Sequence, residues 1–86
     1  MRVKAYPPPT MRALEAVRRA TVSVRTEHPK PDFQYLGVSP DFRYRMVTDL
    51  NDGRYFTGAN VTEVLGIPVY LDVDLVDAAF ELVWLR

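Results

Sequence analysis

A chain of 86 residues has room for a single domain, 1–86, and at that size folding buries only roughly 60 to 65% of the unfolded surface, so the core is thin. The absence of cysteine excludes a disulfide framework, a thiolate metal site and a thiol nucleophile, and leaves stability to the core or to a partner subunit. A net charge of zero hides a polarity: residues 1–30 carry seven cations against two anions and residues 59–86 carry five anions against one cation, which invites contact between complementary surfaces within one chain or between copies.

In chain order, residues 2–6 alternate charged and apolar side chains and predict a short strand, which the stiff run Pro7, Pro8 and Pro9 ends. Thr10 stands where an N-cap belongs, and Met11, Leu14, Val17, Ala20/Thr21 and Val24 recur at three- and four-residue steps, predicting an amphipathic helix over about 11–25. Residues 20–25 also alternate with a period of two, so a handover to a strand near 20 is a second reading. Pro29 and Pro31 break the loop at 27–32, and residues 33–38 predict a strand stopped by Ser39, Pro40 and Asp41. Residues 42–50 and 54–57 flank Asn51, Asp52 and Gly53 and predict a hairpin with Phe42, Tyr44, Met46 and Phe56 on one face and Arg43, Arg45, Val47 and Tyr55 on the other. The capping-box spacing of Asn60 and Glu63 predicts a short helical turn that Gly66 ends, and residues 67–71 and 79–85 predict strands joined by an acidic connection. The whole predicts an α+β fold, a small, mostly antiparallel sheet of five to six short strands packed against one main amphipathic helix.

Chemistry-bearing patterns are sparse. His28, the sole histidine, lies in a proline-flanked loop with no serine or paired carboxylate at motif spacing, which points to a solvent-facing side chain. Asp72, Asp74 and Asp77 are the densest carboxylates, but a hard-cation loop needs more oxygens and a turn glycine, and none follows Gly66, so no metal is expected. The four glycines form no phosphate-cradling motif, and no cofactor is expected. Tyr6 and the prolines after it are a rigid connection in preference to a polyproline ligand. With every catalytic arrangement missing a member, the chain reads as a non-enzyme.

Two binding surfaces stand out. The segment Phe80, Leu82, Val83, Trp84 and Leu85 is β-prone and apolar on both faces, so it must be central, covered or paired to another chain. It is the candidate protein interface, with a second copy or a larger assembly as partner. The alternative is a nucleic-acid-associated regulator using Arg12, Arg18, Arg19 and Arg25 on the helix with Arg43, Arg45 and Tyr55 on the sheet, though zero net charge weighs against a dedicated binder. A third reading is an accessory subunit of an enzyme. No stretch approaches the roughly 18 uncharged apolar residues of a membrane span, and no leader-like segment opens the chain, so a soluble, cytoplasmic protein is expected. Residues 65–71, followed by the acidic turn and the apolar strand, resemble the strand-rich ends of some tailed-phage structural proteins. That resemblance implies a phage or accessory setting and assigns no residue a role.

Overall fold

The computed structural model describes residues 1–50 and 62–86. Its elements run β1 (Arg2–Ala5), α1 (Ala13–Glu27), β2 (Asp32–Val38), α2 (Pro40–Leu50), β3 (Glu63–Val64), β4 (Ile67–Leu71) and β5 (Phe80–Leu85). The strands form one sheet in the order β1-β5-β2-β4-β3, antiparallel throughout except for the β2 and β4 pair. Strands β1 and β2 lie on either side of β5 and are joined through α1, a split β-α-β unit. The α+β class and the largely antiparallel sheet are as expected from the sequence.

Helix α1 holds Ala13, Ala16, Val17, Thr21 and Val24 against the sheet, the three- and four-residue spacing of a single buried stripe. It starts and stops two residues later than the periodicity predicts. Thr10 is not its cap: Arg12 occupies that position without a side-chain bond that caps the helix, and the carboxylate of Asp49 on α2 accepts the Ala13 N–H instead. Nor does the chain turn into a strand near residue 20. Thr21 and Thr26 donate their hydroxyls to the carbonyls of Arg18 (2.8 Å) and Val22 (2.9 Å), the back-bonding of hydroxyls to the preceding turn of a helix. The helix ends at His28, whose N–H bonds the Val24 carbonyl just before Pro29.

The largest correction is α2, where residues 42–50 were expected as a strand. Ser39 and Pro40, which suit a strand stop, are equally a helix start: Phe42 N–H donates to Ser39 Oγ at 3.0 Å, and proline fits the first helical position. Phe42 and Met46, four apart, are buried, whereas Tyr44 between them is 74% exposed. A strand would have put all three on one face; a helix separates them by about 200° at 100° per residue. The other half of the expected hairpin, 51–57 with Tyr55 and Phe56, lies outside the described residues.

The helical turn expected up to Gly66 is also replaced, since Glu63 and Val64 form β3 and pair with Pro68 and Ile67. Leu65 (φ 54°) and Gly66 (φ 79°) make the two-residue turn between them, and successive positive φ values are the signature of a type I′ hairpin turn. Gly66 therefore turns a hairpin. Asn60 lies outside the described residues.

Both helices cover one face of the sheet. Leu36, Val38, Phe80, Leu82 and Trp84 from β2 and β5 meet Val17, Val24, Phe42 and Met46 there, each side chain contributing about 1.5–3 kcal/mol by burial. Strand β5 alternates buried and less buried residues, with Phe80, Leu82 and Trp84 inward and Glu81, Val83 and Leu85 toward the uncovered face.

Candidate protein-binding site

Central placement of β5 decides what its apolar residues can do. Its two edges are paired to β1 and β2, so neither is open to another chain. Phe80, Leu82 and Trp84 are buried in the core; Val83 is half-buried beside Tyr35 in the register, and Leu85 is 53% exposed at the strand's end. Of the five candidate interface residues, Val83 and Leu85 are thus the ones that reach a surface.

The sheet edge next to β5 is β1, which borders a hollow in the described surface. A groove of about 670 Å³ runs between β1 and α1, with Ala16, Ala20, Ser23 and Val24 on the helix side and Met1, Val3 and Ala5 on the strand side. Phe80 and Trp84 contribute from the core, and Pro7 and Pro8 line it after β1. The small side chains at 16, 20 and 23 fall on one helix stripe and leave the space between α1 and β1 unfilled. That stripe and the lysine in a terminal alternating segment were the available sequence signals for a groove beside an edge strand.

Trp84 lines this groove together with the polar Arg19, Ser23, Glu27 and His28. The indole is 5% exposed, and among the described residues its Nε1 has no hydrogen-bond partner. A buried N–H without an acceptor costs about 1–3 kcal/mol, so it is a standing opportunity for an incoming acceptor. His28 packs on the same ring at 5.7 Å between centroids. It is half-buried at the end of α1, not the fully solvent-facing loop side chain that the sequence suggests.

The segment after β1 is held in place by Arg45, whose guanidinium donates to the carbonyls of Pro7 (3.3 Å), Pro8 (2.9 Å) and Met11 (2.5 Å). This arginine therefore performs a structural task. The rest of the candidate nucleic-acid set is also divided. Arg25 lies over the Phe33 ring at 5.1 Å, Arg19 pairs with Glu15 at 2.9 Å, and Arg43 is half-buried on α2. Arg12, Arg18 and Arg19 do border one depression, which they share with the carboxylates of Glu15 and Asp49. Tyr55 lies outside the described residues.

The aspartates serve the turn before β5. Asp72 Oδ1 accepts the Asp74 N–H at 3.0 Å, and the Asp77 carbonyl accepts the Ser39 hydroxyl at 2.6 Å. Among the described residues, no three histidine, aspartate or glutamate side chains are grouped so as to hold a metal ion. Compared with family models, curated proteins and solved structures, the chain matches none. No helix among the described residues is long and apolar enough to cross a membrane.

Proposed function

We propose that this chain is a non-enzymatic protein-binding module, and that it binds through the β1 edge and the groove between β1 and α1. The observation that carries the reading is the groove itself, lined mainly by apolar side chains, bordered by a strand whose outer edge has no partner among the described residues, and reached by Trp84, whose buried indole N–H has no acceptor among them. Grooves of this layout receive another chain's side chains while the strand edge supplies backbone hydrogen bonds. Charge complementarity, with a basic N-terminal third and an acidic C-terminal third, supplies steering. Nucleic-acid binding is the weaker reading, because Arg25 and Arg45 are occupied by Phe33 and by backbone carbonyls.

The test combines sedimentation velocity over a wide range of concentration and salt with a photoreactive residue placed at Ala20 inside the groove or at Tyr44 on the exposed side of α2. Crosslinks to a protein chain, a second copy included, from Ala20 and not from Tyr44 support the reading. A protein that stays monomeric and forms no protein crosslink from Ala20 in the cells that express it overturns it.

A further inference from the structure

The chemistry of the groove's occupant follows from the register of β1. Met1 N donates to the Trp84 carbonyl at 2.7 Å, and Trp84 N donates to the Met1 carbonyl at 2.8 Å, so these residues form a closely bonded antiparallel pair. Antiparallel ladders alternate bonded and non-bonded pairs. With Arg2 opposite Val83, Val3 opposite Leu82 and Lys4 opposite Glu81, the backbone N–H and C=O of Arg2 and Lys4 point away from β5, toward the open edge. An added strand would bond to those two residues.

Side-chain alternation then sets what that strand must carry. Val3 and Ala5 are in register with Leu82 and Phe80 on the helix-covered face and line the groove, so every second residue of the incoming strand faces a groove whose lining is mainly apolar, with Arg19, Ser23, Glu27 and His28 along its helix side. Its other residues lie on the uncovered face beside Arg2 and Lys4. There Glu81 pairs with Arg2 at 3.0 Å and, among the described residues, is the one carboxylate in register with this pair of cations, so two cations stand against one carboxylate on this side. The same cations disfavour β1 pairing with its own copy, since an antiparallel β1 pair centred on Val3 would set Arg2 of one chain opposite Lys4 of the other.

Resting on the protein-binding reading above, we infer that the occupant is an extended segment of another protein that alternates apolar and acidic residues and adds to β1 as a sixth strand. Its apolar side chains enter the groove, and its carboxylates lie against Arg2 and Lys4.

The experiment uses the full chain and short blocked peptides long enough to cover β1, one alternating valine with aspartate, one alternating valine with lysine, and a scrambled valine-aspartate control. Trp84 is the only tryptophan, so its emission reports the groove, and amide shifts report the edge. The valine-aspartate peptide is expected to bind at least about tenfold more tightly than the lysine peptide or the scrambled control, with the Arg2 and Lys4 amides shifting most. Lys4→Pro removes an outward donor while leaving the bonded positions Val3 and Ala5 intact, and should weaken binding about fivefold. Lys4→Glu provides a second variant with the backbone unchanged and should favour the lysine peptide. Absence of binding by all three peptides, equal binding of the two charge types, or retained binding in both variants overturns the inference. If Ala20 still crosslinks to a protein in that case, the protein-binding reading stands with a different occupant, whereas loss of both results removes the reading as well.

Discussion

Asp49, in the last turn of α2, accepts the N–H of Ala13, the first residue of α1, and so one helix caps the other across the core. The contact supplies what Arg12 lacks, an oxygen for an orphan amide at the start of α1, and places a negative charge at the positive end of that helix dipole. It also fixes how the two helices sit on the sheet, and with them the wall of the groove.

Removing that carboxylate should loosen both helices together. Asp49→Ala is expected to lower stability by about 1 kcal/mol, within the range for a lost N-cap, and Asp49→Asn by less because an amide oxygen still accepts the bond. Urea unfolding of the two variants checks the order. Equal midpoints for Asp49→Ala and the wild type would show that the cap contributes nothing.

Ser39 is a fully buried junction between β2, α2 and β5. Its hydroxyl donates to the Asp77 carbonyl and accepts from Phe42 N–H and, at 3.2 Å, from Ala79 N–H. Ser39→Ala strands these groups away from water and is expected to destabilise the fold by about 2–3 kcal/mol. Thr48→Ala, which removes an exposed hydroxyl bonded to the Tyr44 carbonyl, should stay within about 0.5 kcal/mol. Thermal melts of the pair give the comparison, and a Ser39→Ala variant as stable as Thr48→Ala contradicts the junction.

Helix α2 makes opposite forecasts from a strand for one exposed side chain. Tyr44→Ala should raise stability by a few tenths of a kcal/mol, up to about 0.5, because alanine is the better helix former and little packing is lost. In a strand the same change would lower stability by up to about 1 kcal/mol. Denaturant midpoints, with Cα chemical shifts over 40–50, distinguish the two.

The sequence by itself determined the class of fold, the strands at both ends and the first turns of the main helix, where one period dominates. Val17 and Val24 share a helix stripe, and the short β-prone run at 80–85, apolar on both faces, leaves a strand as the economical reading. Elsewhere two periods fit the same residues. Phe42 and Met46 are four apart, which suits a helix face and a strand face alike, and only packing against β2 and β5 separates them from Tyr44. Ser39 and Pro40 likewise end one element and begin another. The three-dimensional arrangement also decided the fate of the terminal strand: a run apolar on both faces demands cover, but whether its edges meet another chain or β1 and β2 depends on pairings between residues about 80 positions apart in one case and about 45 in the other. Inserting β5 between β1 and β2 buried Trp84 and moved the open edge to Arg2 and Lys4, next to the groove that the small residues of α1 leave uncovered. Local pattern is carried by neighbours along the chain. An edge, a groove and a buried indole exist only after distant segments have chosen their partners.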